Sequence, residues 1–296
     1  MQGQQRSISS AWLMILASFL FASMGVCVKY ASATYSPGEI LFFRGLICMV
    51  LMWALAQKQG HTLQTRNALA QLSYAVPAVA TVWLYFYAIA KLPLATALSL
   101  NYTAPVWLGL MLLVRSKLQA RPRFDARLIL AVVLGLVGAI LVLQPDLEEG
   151  QIAACFVALV SGLLAAVSYS RLPALFDLGE PETRTIFYFT LGSVLIGAAS
   201  MIGTDTATHN AESIGWLLSV GLLAAGAQWA LTRAYSRGSG PVMACLQYTG
   251  IVFAYGMGLL FFDERLHVVS IIGVTVIVIA GSAATLLRDA PANSSN

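Results

Sequence analysis

Ten apolar runs follow one another along the chain, and each is long enough to cross a lipid bilayer. A helix spans the hydrocarbon layer with roughly 20 mostly apolar residues. Of the 296 residues, 58% are hydrophobic and 10% are charged, whereas charged residues make up about a quarter of a typical soluble domain. The runs lie at 11–28, 38–56, 70–90, 94–114, 128–144, 151–170, 184–203, 214–235, 241–262 and 268–287. The sequence therefore predicts an all-α polytopic membrane protein with ten transmembrane helices and no soluble domain.

The first run is followed by Ala31-Ser32-Ala33, which resembles a signal-peptidase site. We expect no cleavage there, because the run is longer than the usual apolar core of a signal peptide. Cleavage would also leave nine spans instead of ten.

The basic residues fall mainly on one side of a ten-span topology. With the N-terminus in the cytoplasm, thirteen of the 17 Lys and Arg residues lie inside, three (Lys29, Lys91 and Arg265) lie outside, and Arg44 stays in the membrane. The positive-inside rule then predicts a multi-pass protein of the bacterial inner membrane with both termini cytoplasmic. The basic segment 115–127 is interpreted as a topology anchor beside anionic lipid rather than a nucleic-acid patch. The predicted partners are membrane lipid and a small-molecule substrate.

The two halves of the chain repeat each other at a spacing of 146 residues. The matched pairs are Trp83 with Trp229, Lys91 with Arg237, Asn101 with Gln247, Tyr102 with Tyr248 and Thr103 with Thr249. Since each half carries five spans, the second half enters the bilayer upside down relative to the first. The sequence predicts two inverted five-helix repeats, 1–146 and 147–296, around a central cavity. This architecture is typical of a secondary transporter that works by alternating access.

Several motifs resemble EamA-type members of the drug/metabolite transporter superfamily. They are Pro37–Arg44, Ala88–Ala97 running into Tyr102–Pro105, Gln247–Thr249, and Phe262–Leu266 followed by Gly273. The resemblance implies a basket of helices around a central cavity, with the fifth and tenth helices on its flank. Members of this superfamily move amino acids, nucleotide-like compounds, vitamins and other small metabolites, so the resemblance does not name the cargo. The first half departs from the pattern at Arg115-Ser116-Lys117-Leu118, which lacks the usual Glu; we therefore interpret Glu264 as a helix-end residue.

The candidate substrate-binding residues are polar and aromatic groups near the middle of the repeated helices. The carboxamides of Asn101 and Gln247 both donate and accept hydrogen bonds, and pseudo-symmetry would place them on opposite cavity walls. The alternative is that they form hydrogen bonds between helices. The other candidates supply hydroxyls and flat rings, and packing is the favoured alternative for each ring taken alone. They are Tyr102, Tyr248, Trp83, Tyr87 and Trp229.

Arg44 is the one strong charge clearly within a predicted span. A buried guanidinium is unfavourable unless it is paired, so Arg44 should face protein or water. It either binds a substrate carboxylate or phosphate through its planar fork, or it pairs with Glu39 or with a carbonyl of a broken helix. We include Arg44 among the candidate substrate-binding residues.

Helix packing is predicted from small residues and prolines. Small residues recur every four positions at Ala131, Gly135 and Ala139, and again at 250, 254 and 258. Such stripes serve either packing within the protomer or a contact between two protomers, so the sequence is compatible with a monomer and with a homodimer. Pro77 and Pro105 should kink the third and fourth helices.

The sequence contains no pattern for catalysis or metal binding. The four cysteines lack metal or disulfide spacing, and no span contains a carboxylate dyad or a zinc-protease or hydrolase motif. We predict a non-enzyme with no catalytic residue, metal or cofactor.

The predicted function is a secondary transporter, either an exporter or an exchanger or facilitator. No Asp or Glu lies deep in a span, which argues against a proton-driven pump. The predicted cargo is a neutral or zwitterionic amino-acid-like or aromatic or heterocyclic solute. The alternatives are an uptake carrier for a vitamin- or nucleoside-like compound, or a non-transporting membrane enzyme or scaffold.

Overall fold

A computed structural model describes residues 2–92, 100–118, 126–143, 151–202, 211–262 and 267–289. Every regular element in these ranges is an α-helix, and they contain no β-strand. The helices are α1 (Gln2–Ala31), α2 (Pro37–Lys58), α3 (Ala68–Lys91), α4 (Ala104–Leu118), α5 (Ala126–Leu143), α6 (Ile152–Asp177), α7 (Glu182–Ser200), α8 (Ala211–Arg237), α9 (Gly240–Gln247), α10 (Thr249–Phe261) and α11 (Val268–Asp289). Each predicted apolar run overlaps one helix, except that the ninth overlaps both α9 and α10. The predicted junction of the halves at 144–150 and the predicted helix end at Glu264 lie outside the described residues.

The helices have the length and composition of a membrane protein. Six apolar stretches within the described ranges are long enough to cross a bilayer: Ser9–Ala31, Pro37–Lys58, Ala68–Tyr85, Ile152–Asp177, Ala211–Arg237 and Val242–Phe261. Two shorter apolar stretches lie in α5 and α11. Large apolar side chains such as Leu130, Leu195 and Ile279 are exposed in mid-helix, where lipid would cover them. The protein is an all-α polytopic membrane protein, and the full count of ten spans stays a prediction.

Local sequence explains where several helices begin and end. Ser36 and Glu39 form a capping box at the start of α2: Ser36 Oγ accepts from Glu39 N, and Glu39 Oε2 accepts from Ser36 N at 2.8 Å. Pro37 occupies the first turn, where its missing N–H costs no hydrogen bond. Gly60 and Gly179 follow α2 and α6 with φ angles of 70° and 77°, which other residues adopt with strain. Tight turns therefore follow α2 and α6.

The two prolines expected to kink helices occupy different positions. Pro77 lies inside α3, and Thr81 Oγ1 donates to its carbonyl at 2.8 Å. Pro105 is the second residue of α4, directly after the turn at 102–103 that interrupts the fourth run. A proline has no N–H to donate to the preceding turn, so the interruption lies where Pro105 predicts a break in the helix.

The most extensive helix contacts join elements that are far apart in the sequence. α1 packs against α8, α3 against α6, α2 against α7, and α5 against α11. In the last pair, backbones touch at Gly138 and Gly273, where a Cβ on either glycine would lie 2.8 or 2.6 Å from the carbonyl oxygen of the other. α5 and α11 therefore form a tightly packed pair, while the remaining helices supply most of the wall of a central cavity.

Candidate functional site

A cavity of about 950 Å³ lies among the helices. It extends to the surface at exposed residues that end or follow α1, begin α2 and precede α11, namely Lys29, Ser32, Pro37 and His267. We term this side of the bundle the Lys29 end. The opposite side, termed the Glu180 end, includes the connectors at 62–67 and 178–181. No residue of these two connectors lines the cavity, so within the described part of the chain the cavity is open at one end only.

The repeated tripeptides lie at two matched interruptions of helix. Helical residues 100 and 101 are followed by a turn at Tyr102 and Thr103 before α4 begins, and α9 and α10 are separated by a turn at Tyr248. At both turns the backbone N–H donates to the carbonyl three residues earlier: Thr103 to Leu100 at 3.2 Å, and Tyr248 to Cys245 at 3.2 Å. Interrupted helices beside a cavity are a common way to present backbone polar groups to a ligand.

The threonine of each tripeptide makes the same side-chain hydrogen bond at the interruption. Thr103 Oγ1 donates to the carbonyl of Leu100 at 2.6 Å, and Thr249 Oγ1 donates to the carbonyl of Leu246 at 2.7 Å. The Leu100 carbonyl also accepts the Thr103 backbone N–H, so the hydroxyl adds a second donor at this turn. Because the two bonds are equivalent under the spacing of 146 residues, the repeat in sequence is also a repeat in local structure.

The two predicted carboxamides both line the cavity, but they have different partners. Asn101 Nδ2 donates to Ser161 Oγ of α6 at 2.9 Å. Gln247 Oε1 accepts from the hydroxyl of Tyr235 in α8 at 3.1 Å. The carboxamide oxygen of Asn101 accepts no hydrogen bond from the described residues. Each side chain is thus held by a neighbouring helix, and Asn101 retains an acceptor.

The two repeated tyrosines are brought together, although only one reaches the cavity. The rings of Tyr102 and Tyr248 lie 6.2 Å apart between centroids. Tyr102 lines the cavity, whereas Tyr248 is fully buried against Gly135 of α5. A Cβ at Gly135 would lie 2.5 Å from the Tyr248 ring, so this glycine makes room for it. The Tyr248 hydroxyl has no hydrogen-bond partner among the described residues.

The remaining aromatic candidates lie away from the cavity. Trp83 and Tyr87 of α3 are 41% and 49% exposed, so both rings face the exterior of the bundle. Trp229 is partly buried between two apolar clusters, and the guanidinium of Arg233 lies 5.1 Å from its ring centroid. None of the three is among the described residues that line the cavity.

Several polar groups of the cavity wall were not singled out from the sequence. They include Tyr74, Tyr169 and Gln228, which come from α3, α6 and α8. Gln228 Nε2 donates to the Tyr74 hydroxyl at 3.3 Å, and the Tyr169 ring stacks on Tyr235 with centroids 4.9 Å apart. Their signal in the sequence is a polar or hydroxyl-bearing side chain in mid-span, outside the repeated tripeptides. Arg44 of α2 also lines the cavity and is buried.

The small-residue stripe of the ninth run lies on the cavity wall. Gly250, Ala254 and Gly258 all line the cavity. A Cβ on Gly250 would lie 2.9 Å from the Tyr102 hydroxyl, so the absence of a side chain there leaves space for that group. The stripe in α5 is different, since Ala131 and Ala139 are buried in a packed cluster.

A carboxylate organises the Glu180 end. Glu180 Oε1 accepts from Thr65 Oγ1 at 2.6 Å and from Asn67 Nδ2 at 3.0 Å. Its Oε2 accepts from Gln71 Nε2 at 3.0 Å and from Arg184 Nη1 at 2.7 Å. Burial by itself would raise the pKa of Glu180, but these four hydrogen bonds outweigh it and lower the pKa to about 2. The carboxylate is therefore ionised at neutral pH and joins the two connectors.

Further hydrogen bonds extend this junction. Arg184 donates from Nε and Nη2 to the carbonyl of Thr62, at 2.8 and 2.6 Å. The Tyr188 hydroxyl donates to the carbonyl of Leu63 at 3.1 Å. The connector between α2 and α3 is thus bound to α7 at several points, and it seals the Glu180 end.

Comparisons with known proteins identify the fold and the family. The model of the EamA-like transporter family matches residues 8–144. The pseudopaline exporter CntI of Pseudomonas aeruginosa is 33% identical over 277 residues, covering 92% of this chain and 94% of the exporter. An uncharacterized transporter of Helicobacter pylori is 26% identical, covering 91% of this chain and 92% of its own.

A solved crystal structure shares the fold across almost the whole molecule. Its TM-score is 0.82, and the match covers 95% of this chain and 98% of the other at 15% identity. The similarity therefore extends well beyond the part of the chain that the family model matches. The chain belongs to the EamA-like transporter family of the drug/metabolite transporter superfamily.

Proposed function

We propose that this protein is a secondary transporter that carries a small organic solute through the central cavity by alternating access. The observation that carries the proposal is a cavity of about 950 Å³, built at two matched helix interruptions, with one open end and one sealed end. A volume of this size accommodates a small metabolite. Asn101, Gln247, Tyr102 and Arg44 supply the polar contacts of the wall in this proposal.

The proposed scaffold is a pair of inverted five-helix repeats, residues 1–146 and 147–296. In such a pair, α1, α2, α3 and α4 of the first half correspond to α6, α7, α8 and the α9–α10 pair of the second half. When each helix is replaced by its counterpart, the contact of α1 with α8 becomes the contact of α6 with α3. The contact of α2 with α8 becomes that of α7 with α3, and the contact of α1 with α10 becomes that of α6 with α4. All of these contacts occur, as a pseudo-two-fold axis requires. Two such halves have two equivalent ways to pack, which supports alternation between two states.

The proposed orientation places both termini in the cytoplasm of a bacterium, with the protein in the inner membrane. The Glu180 end then faces the cytoplasm, and the Lys29 end faces outward. In this orientation the described state is open to the outside. The relative in Pseudomonas aeruginosa is named an exporter, which supports export as the direction of transport.

Transport is tested by counterflow in proteoliposomes against a panel of amino acids, nucleosides and vitamins. The turnover of labelled lipids is measured alongside. We expect exchange of at least one solute class and no lipid turnover. Ala254→Trp places an indole inside the cavity and should abolish exchange. Ala153→Trp, at an exposed position of α6, is the matched control and should leave exchange intact. Equal activity of the two variants would show that the cavity is not the pathway.

The orientation is tested by cysteine labelling from either side of the membrane. Lys91 ends α3, whose first residues lie at the Glu180 end, and Gly238 directly follows α8 at that same end. Cysteines at 91 and 238 should therefore react from opposite sides, 238 from the cytoplasm. Reaction of both positions from one side would contradict the inverted arrangement.

A further inference from the structure

Arg44 is a buried cation with no carboxylate partner among the described residues. Its side chain lies on the cavity wall, and the residue is only 8% exposed. Its Nε has no hydrogen-bond partner in the described ranges, and none of the ion pairs there includes it. Its five N–H donors lie in a rigid plane that matches a carboxylate.

The acidic residue nearest in sequence is engaged elsewhere. Glu39 Oε2 accepts from the backbone N–H of Ser36 at 2.8 Å and from its hydroxyl at 2.9 Å. This carboxylate belongs to the capping box of α2, and the ion pairs of the described ranges do not join it to Arg44. Moreover, no Asp or Glu within those ranges lines the cavity. The positive charge of Arg44 is therefore not neutralised by a carboxylate of the described cavity wall.

The surroundings of Arg44 suit a ligand rather than a structural role. Tyr74 and Tyr169 also line the cavity. Their hydroxyls are donors that an anion accepts from, as is the guanidinium itself. A buried charge is unfavourable until a counter-charge with good geometry approaches it. Arg44 and the two tyrosines thus all present donors to the same cavity.

We propose that Arg44 is the anion site of this cavity and that the transported solute carries a carboxylate bound there. This proposal rests on the proposed transport function and names its substrate class. A carboxylate fits better than a phosphate, because Arg44 is the one cation deep in the described cavity wall. Lys29 and His267 lie at the open mouth, and a phosphate dianion would leave a net negative charge inside.

The rest of the wall favours a zwitterionic solute. The carboxamide oxygen of Asn101 and the tyrosine hydroxyls accept hydrogen bonds, and an ammonium group donates three. Apolar wall residues such as Met14, Phe189 and Leu231 cover a side chain. An amino-acid-like compound therefore matches the cavity through two groups. Its carboxylate would bind Arg44, and its ammonium group would donate to Asn101 and the tyrosine hydroxyls.

The test measures whether a simple carboxylate protects Arg44 from chemical modification. The purified full chain in nanodiscs is treated with p-hydroxyphenylglyoxal, and each arginine-containing peptide is quantified by mass spectrometry. Increasing benzoate should slow labelling of Arg44, about tenfold at ten times its Kd. The isosteric but neutral benzamide should give no protection. Arg171, exposed at the end of α6, is the internal control and should react equally under all conditions.

Each result decides the proposal. Equal protection by benzoate and benzamide, or none by either, would overturn it, as would an Arg44 that resists labelling without any ligand. Methylphosphonate is run in parallel, and stronger protection by it than by benzoate would overturn the choice of a carboxylate. Protection that appears at Arg171 as well would show a general salt effect and would count against the site.

Variants separate this proposal from the proposed function. Arg44→Lys keeps the charge but loses the planar fork, so we expect a raised KM for solute exchange in proteoliposomes. Arg44→Gln should abolish exchange, and size-exclusion chromatography reports whether each variant is folded. If benzoate fails to protect Arg44 while the wild type exchanges solutes, the anion site is wrong and transport stands. If benzoate protects Arg44 but no solute is exchanged, the anion site stands and transport fails.

Discussion

Replacing Glu180 with glutamine should open the Glu180 end of the transporter. The carboxylate accepts four hydrogen bonds, two from the connector at 62–67, one from Gln71 of α3 and one from Arg184 of α7. The carboxamide of the Glu180→Gln variant would present one oxygen and one NH2 group in place of two acceptor oxygens. At least one of the four donors would then face another donor, and the ion pair with Arg184 at 2.7 Å would be lost.

The size of the effect follows from the pKa of Glu180. The hydrogen bonds lower this pKa from 4.5 to about 2, and each pH unit corresponds to about 1.36 kcal/mol. The ionised carboxylate therefore favours the closed end by about 3 kcal/mol relative to a state in which Glu180 is solvated. Because the pKa is lowered, this stabilisation of the closed end is fully present at pH values above the ordinary pKa of 4.5. It is lost as the pH falls toward 2. At pH 3.5 about 1.4 kcal/mol is already lost, roughly tenfold in the closed-to-open ratio.

The assay measures a distance across the junction. Spin labels at positions 64 and 177, which are exposed on the two sides of the junction, report the separation by double electron–electron resonance in nanodiscs. The wild type should show one short distance at pH 7 and additional longer distances at pH 3.5. Glu180→Gln should show the longer distances at pH 7.

Glu182→Gln is the matched control for this assay. Glu182 lies 3.9 and 3.8 Å from Arg233 and Arg237, and such loosely paired ions contribute at most about 1 kcal/mol. This variant should keep the short distance at pH 7. A single short distance in Glu180→Gln at both pH values would refute the argument.

Three further predictions concern the cavity and the packing around it. Asn101→Leu and Gln247→Leu should each raise the apparent KM for solute exchange several-fold, because each loses a hydrogen bond to the solute that contributes about 1 kcal/mol. Unchanged exchange in the double variant would contradict a role in binding. Thr103→Val and Thr249→Val should each lower stability by about 1 kcal/mol in thermal unfolding, and a cost at only one of them would argue against equivalent interruptions. Gly138→Ala should destabilise the protein by about 1–3 kcal/mol, since the new methyl group would lie 2.8 Å from the carbonyl oxygen of Gly273. Gly256→Ala, where nothing lies within 4 Å of the new methyl group, is its control and should cost nothing.

The positions of the helices along the sequence were predictable from hydropathy, because a segment that crosses a bilayer must be both apolar and helical. A segment in lipid satisfies its backbone within itself, so an apolar run of sufficient length forms a helix whatever its neighbours are. All ten runs accordingly overlap helices. The helix pairs were not predictable in this way, since hydropathy does not state which faces meet. Only the glycine and alanine stripes pointed to them, and one of the two stripes lines the cavity instead.

Only one of the two helix interruptions has a signal in the local sequence. Pro105 follows the interruption at 102–103, whereas no proline lies close after Tyr248. The interruptions depend on neighbours that are distant in sequence: Gly162 leaves room for the turn at 100–103, and Ser18 Oγ approaches the Gln247 carbonyl at 3.5 Å. The predicted position of Trp83 at the cavity failed for a related reason. Its match with Trp229 gives its position along the helix but not the face on which it lies, and Trp83 lies on the outer face of α3.

In the proposed pair of inverted repeats, the two ends of the cavity differ in the chemistry that holds their connectors. At the Lys29 end, the connector after α1 meets the start of α8 through a hydrogen bond between the hydroxyls of Tyr35 and Ser213 at 2.8 Å. At the Glu180 end, the corresponding connector after α6 meets the start of α3 through an ionised carboxylate with four donors. A charged hydrogen bond is about twice as strong as a neutral one. In the proposed alternating mechanism, Glu180 therefore stabilises the state that is closed at the Glu180 end. Solute binding in the cavity must favour the opposite state by a comparable amount for the carrier to turn over.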